Sequence, residues 1–201
     1  MSKKVLIVGA TGTLGRAVAR ELATRAEVIE VGRTHGSRQV DITDSSSIRA
    51  LFEAVGKVDA IVSVTGKVHY GLVTETTAEQ FRTGLNDKLL GQVDLALVGQ
   101  HFLNDGGSIT LTSGIVADHP IRMGSNMTTV NSALEGFARG AAGELARGQR
   151  INVVSPTLTE ESLSTYGPFF AGFEPVPAKR VALAYVRSVE GIESGNVYRV
   201  W

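Results

Sequence analysis

Val5-Leu6-Ile7-Val8 is an unbroken apolar run, and glycines follow at 9, 12 and 15 before Arg16–Leu22 takes up helical spacing. The order is buried strand, glycine-rich turn, helix start. Few folds accept that order except a parallel sheet whose first strand hands a phosphate-sized anion to a helix N-terminus. Each glycine has its own reason. Gly9 permits the tight turn. Gly12 removes a Cβ from the path of a pyrophosphate toward the backbone N–H groups of Thr11, Thr13 and Leu14. Gly15 lets the helix press on the strand. The unpaired N–H groups and partial positive charge of the helix start then face the anion.

The remaining pattern continues this opening. Apolar strands are expected at Glu27–Val31, Gln39–Asp41, Val58–Val64, Gly107–Ser113, Arg150–Pro156 and Asn196–Val200. Helical spacing covers Ser45–Val55, with Ile48, Leu51 and Phe52 on one face. It covers about Ala78–Leu103, capped by Thr77, then about Met123–Ala146, and finally Val176–Glu190. Thr157–Pro175 is irregular and carries Gly and Phe. The link between the second and third strands is too short for a packed helix. Strands alternating with helices give right-handed crossovers and a Rossmann-type α/β fold, a doubly wound parallel sheet with helices on both faces. With 201 residues and no linker, one domain over residues 1–201 is expected.

Composition narrows the chemistry. Twenty Lys+Arg against twenty Asp+Glu give a net charge of zero, so no nucleic-acid or membrane partner is indicated. No cysteine is present, and the four histidines lack metal-ligand spacing, so no metal site is expected. The first apolar run is too short for a signal peptide, and no stretch approaches a membrane span. A soluble, cytoplasmic protein is expected.

Several motifs in order resemble the short-chain dehydrogenase/reductase family over nearly the whole chain. Gly9-Ala10-Thr11-Gly12-Thr13-Leu14-Gly15 looks like its nucleotide turn, with the spacing of extended and atypical members. Asp41-Ile42 resembles the acidic position that holds the adenine. Ser63-Val64-Thr65-Gly66 stands where the family has Asn-Asn-Ala-Gly, so Val64, Thr65 and Gly66 join the candidate cofactor site. Gly107–Ser113 is similar to the strand that ends in the catalytic Ser. The resemblance implies a nicotinamide cofactor and alcohol/carbonyl redox. Charge selects the cofactor. An NAD site needs a carboxylate after the second strand, but Gly32 stands there, followed by Arg33 and Thr34. Arg33 can grip a 2′-phosphate, which implies NADP.

The family's catalytic set is Ser, a Tyr-x-x-x-Lys pair on the next helix, and an Asn on the preceding one. Ser113 matches the Ser. Aligned at Asn131-Ser132-Ala133-Leu134, Met127 takes the Tyr position and Asn131 the Lys position. Lys88 stands where the family has Asn, so Lys and Asn have exchanged sites and the phenol is gone. Ser113 and Lys88 are therefore the candidate catalytic pair, with His69, Tyr70 and His119 as further proton donors. Tyr166, Phe169, Phe170 and Phe173 either cover the core or line an apolar pocket. Three readings follow: an NADP(H)-dependent oxidoreductase on a small carbonyl or alcohol, a non-redox NADP(H)-binding sensor, and a non-redox isomerase or cyclase. Ala133, Gly136, Gly140 and Gly143 form a small-residue stripe that fits close backbone approach, by the protein's own sheet or by a partner helix. A homodimer or homotetramer through the two long helices is expected.

Overall fold

The computed structural model describes residues 2–201 and contains seven strands, all parallel. They are β1 (Lys3–Val8), β2 (Ala26–Gly32), β3 (Arg38–Gln39), β4 (Val58–Ser63), β5 (Leu103–Thr112), β6 (Arg150–Pro156) and β7 (Val197–Val200). Their order in the sheet is β3-β2-β1-β4-β5-β6-β7. The chain starts at β1 in the middle, winds out to β3, then returns past β1 to β4. The crevice between β1 and β4 is thus the topological switch point, where ligands bind in open α/β sheets.

Both sheet faces are covered, and β1 shows why its four apolar residues are unbroken. Val5 and Ile7 point to one face, where they meet Val18 and Leu22 of α1 (Thr13–Leu22) and Val181 and Tyr185 of α7 (Ala178–Glu190). Leu6 and Val8 point to the other, into a core with Phe52 of α2 (Ser45–Val55), Leu95 of α4 (Gly91–Gly99) and Leu134 of α5 (Ser125–Ala141). Burial on both faces removes the alternation a half-exposed strand would show.

Three expectations change. The helix expected to run through to Leu103 ends at Gly99, and Leu103 already belongs to β5, paired with Val58. That helix is also irregular along its length. Its first segment, α3 (Ala78–Gly84), passes into a π-helical turn at Leu85–Leu90 before α4 begins. The helix expected over Met123–Ala146 is shorter, Ser125–Ala141, and a turn with left-handed Arg147 and Gly148 leads from it into β6. The expected cap is present: Thr77 accepts from Gln80 N while the Gln80 side chain accepts from Thr77 N, a capping box. The short β2–β3 link is a turn over residues 33–37 with Gly36 at φ +115°, and β2 and β3 still pair in parallel. The irregular stretch after β6 contains only α6 (Leu163–Tyr166) and short 3-10 turns.

Candidate functional site

Two adjoining hollows lie along the carboxyl edge of the sheet. The first is a groove floored by Val8 and Gly9 and walled by Thr11, Gly12, Gly32 and Arg33 on one side. Asp41, Ile42, Val64 and Thr65 close it, and Lys67 and Asp87 complete the wall. The glycines divide as their spacing suggests. A Cβ on Gly9, at φ +90°, would strike the Val64 carbonyl, and one on Gly15 would strike the Gly9 carbonyl. Both are packing glycines. Gly12 is different, because the nearest atom to its Cβ would be Gly9 O at 3.5 Å. Nothing in the protein requires a glycine there, and its open side faces the groove. Gly12 is also the N-cap of α1, which carries no side-chain cap and no acidic residue in its first turn. The first N–H groups of α1 therefore have no intrahelical partner and face an open site.

A carboxylate is sterically barred from position 32, since a Cβ there would collide with His35 O. Arg33 instead lies at the groove, with its guanidinium 2.8 Å from Asp41 Oδ2. Asp41 is tied first by the Thr43 hydroxyl and N–H and then by Arg33, which together hold its carboxyl below the usual range. Thr34 turns away and pairs with its neighbour His35. Thr13 and Gly15 sit in the first turn of α1 and do not line the groove, and Leu14 reaches the second hollow. Gly66 also stays out of the groove. At φ +129°, it lies flat on Lys88, whose Cβ and Cγ would be 2.7 Å from any side chain at 66.

The second hollow gathers Lys88, Ser113, Met127 and Asn131 under a lid from Tyr70, Tyr166 and Phe170. Lys88 comes from the π turn and Asp87 beside it lines the groove, so this turn joins the two hollows. A buried glutamine binds one carbonyl of this turn and the end of β5 together. Gln92 Nε2 donates to Lys88 O at 3.2 Å and to Thr112 O at 3.0 Å, while its Oε1 accepts from Thr112 N at 2.9 Å. Gln92 thereby clamps α4 to the end of β5, beside Ser113. Lys88 Nζ donates to Ser113 O at 3.1 Å. Its side chain keeps some surface toward the cavity, yet protein surrounds it closely enough that burial pushes its ammonium down to about 8.

The Ser113 hydroxyl donates to Glu135 Oε1 at 2.9 Å. Glu135 is 4% exposed, and burial raises its carboxyl above the ordinary range. Sequence reasoning misses this residue, which reads as one more charge on a long helix. The available signal is its place four residues after Asn131 and eight after Met127, on the face that carries the site. Asn131, 1% exposed, has no partner for either Nδ2 or Oδ1 among the described residues. A buried amide with both a donor and an acceptor idle fits a ligand bearing hydroxyl groups, such as the sugar of a nucleotide. With the open Gly12 and the uncapped α1, the residues present fit a dinucleotide lying across both hollows.

The other proton-donor candidates separate. Tyr70 lines the cavity, stacked on Tyr166, but burial pushes its phenol up to about 12, away from useful acidity. His119 packs edge-on against Trp201 in a different hollow, and His69 lines neither site. Phe169 packs on Tyr70, and Phe173 lies with His119. The described residues hold no cluster of three potential metal ligands, and no helix among them is long and apolar enough to cross a membrane.

Comparison with known proteins agrees with this fold. The family model described as enoyl-(acyl carrier protein) reductase matches residues 4–198. The crystal structure of the protein lin1944 from Listeria innocua is 48% identical, covers 100% of both chains and superposes with a TM-score of 0.98. A small-chain dehydrogenase in complex with NADPH is 26% identical over 100% of this chain and 97% of that one, with a TM-score of 0.89. Hydroxynaphthalene reductase arp2 of Aspergillus fumigatus is 28% identical over 183 residues, which is 77% of this chain and 65% of that protein. The fold, its switch-point groove and a family match running almost end to end lead to one conclusion: the chain belongs to the short-chain dehydrogenase/reductase family.

Proposed function

We propose that the protein is an NADP(H)-dependent oxidoreductase acting on a small carbonyl or alcohol, with Lys88 and Ser113 at its polar centre. The observation that carries this reading is a desolvated ammonium 3.1 Å from the Ser113 carbonyl, in the cavity next to the glycine groove. The NADPH complex of a family neighbour supports the cofactor, as does an arginine in place of an acid beside position 32. Thr11, Gly12, Arg33, Asp41, Ile42, Val64 and Thr65 would hold the nucleotide, with Arg33 on its 2′-phosphate and Asn131 on a ribose. The bound cofactor supplies a hydride. Ser113 Oγ orients the substrate oxygen. One of the three Lys88 donors is spent on Ser113 O, leaving the others to polarise that oxygen and steady its negative charge. The apolar lid of Tyr70, Tyr166 and Phe170 excludes water from the reacting atoms.

One observation favours a second reading. Met127 is 7% exposed and lines the cavity at the position where the resemblance places the family's phenol, and a thioether cannot give a proton. A protein that keeps the nucleotide but has lost the redox step, as a sensor or as an isomerase, would look the same there. The test is NADPH oxidation over a broad carbonyl panel beside calorimetry of NADPH and NADH. Turnover with tight NADPH binding supports the oxidoreductase. Tight binding with no turnover selects the second reading, and equal binding of both nucleotides rejects the NADP assignment.

The protein is also expected to self-associate through α4 and α5. Leu97 on α4 is 50% exposed, and Gly136 and Gly140 on α5 have nothing within 4 Å of where a Cβ would stand. That open space at two positions of the small-residue stripe supports close approach of a partner helix there.

A further inference from the structure

Glu135 is a buried carboxylate held by one hydrogen bond and two long ion pairs, and burial still raises its carboxyl above the ordinary range. Its one hydrogen bond is with Ser113 Oγ, through Oε1. Its other oxygen, Oε2, faces two guanidiniums at distances too long for hydrogen bonds: Arg139 on its own helix at 3.9 Å and Arg199 on β7 at 3.8 Å. Arg199 is committed elsewhere, to both oxygens of Asp118, at 3.1 and 3.2 Å. That Asp118–Arg199 pair is partly exposed to solvent. Polar and charged groups therefore extend from the cavity wall toward the surface: Ser113 hydrogen-bonded to Glu135, then, across a 3.8 Å gap wide enough to need a bridging water, Arg199 with Asp118. Neither Met127 nor Asn131, which the resemblance places at the family's Tyr and Lys positions, can move a proton through this wall.

We propose that Glu135 is a positioning and proton-relay residue, passing a proton between solvent at the Asp118–Arg199 pair and the Ser113 hydroxyl, which exchanges it with the substrate oxygen. The proposal rests on the oxidoreductase reading. In reduction, hydride addition to the carbonyl carbon breaks the C=O π bond and leaves the electron pair on oxygen. That oxygen takes the Ser113 proton, and Ser113 Oγ takes the proton of the Glu135 carboxyl. Glu135 is left as a carboxylate beside Arg139 and Arg199, and one proton from water restores it. A nicotinamide nucleotide gives the two electrons, and one solvent proton is consumed per turnover. In oxidation each transfer reverses, with the Glu135 carboxylate as the acceptor. The raised carboxyl range fits a group that must hold its proton part of the time.

The test is Glu135→Gln, which keeps the shape and can donate to Ser113 but cannot shuttle. In the reductive direction kcat is expected to fall on the order of 10²-fold, the low end of a general acid's usual contribution, with KM for NADPH unchanged. Wild-type kcat should decline as pH rises through the Glu135 titration, and this limb should vanish in the variant. Unchanged kcat with the limb intact overturns the relay. If wild type reduces no carbonyl, the oxidoreductase reading fails by itself, and the relay is then judged on the unliganded protein by carbon-13 NMR of side-chain carboxyls. Ser113 holds the Glu135 carboxyl down by its hydrogen bond, so Ser113→Ala should move that titration upward. A titration that does not move shows that the two groups are uncoupled, and the relay is refuted.

Discussion

Lys88→Met should make the protein more stable and less active. The ammonium falls from an ordinary value of 10.5 to about 8 on folding because burial strips its water. For a base lowered in the folded state, the unfolded chain binds the proton more tightly, so the charged form opposes folding. The penalty is full below pH 8 and fades between pH 8 and 10.5, where both states become neutral. Its size is about 3 kcal/mol at 1.36 kcal/mol per pH unit. Methionine has nearly the same volume and no charge. It forfeits the hydrogen bond to Ser113 O, worth about 1 kcal/mol. The net gain near pH 7 is about 2 kcal/mol, or several degrees in Tm for a chain of this size. The assay is urea unfolding of wild type and variant at pH 7 and again near pH 10, where the difference should shrink or change sign. A variant less stable than wild type at pH 7, or a difference indifferent to pH, would show that Lys88 is not held as a desolvated cation.

Four further outcomes are expected. Gly12→Ala should leave unfolding stability within about 0.5 kcal/mol of wild type yet weaken NADPH binding, whereas Gly15→Ala, facing the Gly9 carbonyl, should cost stability with or without nucleotide. Arg33→Ala should reduce the preference for NADPH over NADH by about tenfold to a hundredfold in calorimetry, corresponding to about 1.5–3 kcal/mol for a charge-assisted contact. Met127→Tyr with Asn131→Lys should add carbonyl reduction if the cavity still accepts a substrate, read as NADPH oxidation over the same panel. Gly140→Arg should convert an oligomer to a smaller species in light scattering without lowering the yield of folded protein, because the position has open space around it.

What is legible in the sequence follows from how local each signal is. The strand, glycine turn and helix of residues 5–22 are contiguous, and their order alone places the groove at the switch point. Arg33 and the missing acid at 32 are legible for the same reason. The π turn is not, because Phe81, Leu85 and Leu89 keep helical spacing straight through it. The widening is held instead by Gln92, which reaches Thr112 across the fold. Only the family resemblance singles out Lys88 in the sequence; its burial is not legible there, because Gly66 and Ser113, which close around it, are distant in sequence. Glu135 escapes notice because a charged residue on an amphipathic helix normally faces water. Proximity in sequence puts Thr34 and Thr13 at the nucleotide, but the turn geometry points Thr34 at His35 instead.

The choice between an oxidoreductase and a nucleotide sensor depends on what the second hollow costs to keep. A chain that only bound the nucleotide through its glycine turn would do better with that hollow packed by apolar side chains. Here it retains an ammonium depressed by burial, a carboxylate with one hydrogen bond, and an amide with none. An unpaired buried polar group such as Asn131 typically costs about 1–3 kcal/mol, and isosteric apolar replacement of buried charges such as Lys88 and Glu135 is often neutral or stabilising. All three surround Ser113 or the cavity it lines, while the rest of the core is apolar or hydrogen-bonded apart from a few serine and threonine hydroxyls. Asn131 is satisfied once a ligand with sugar hydroxyls is present, and a sensor would have the same use for it. Lys88 and Glu135 are different. Neither charge lines the groove, where Arg33, Gly12 at the start of α1 and Asp41 stand. A cation held at the Ser113 carbonyl and a carboxyl on its hydroxyl would both serve an oxygen that changes its charge. That is the physical reason to place chemistry, and not recognition alone, in this cavity.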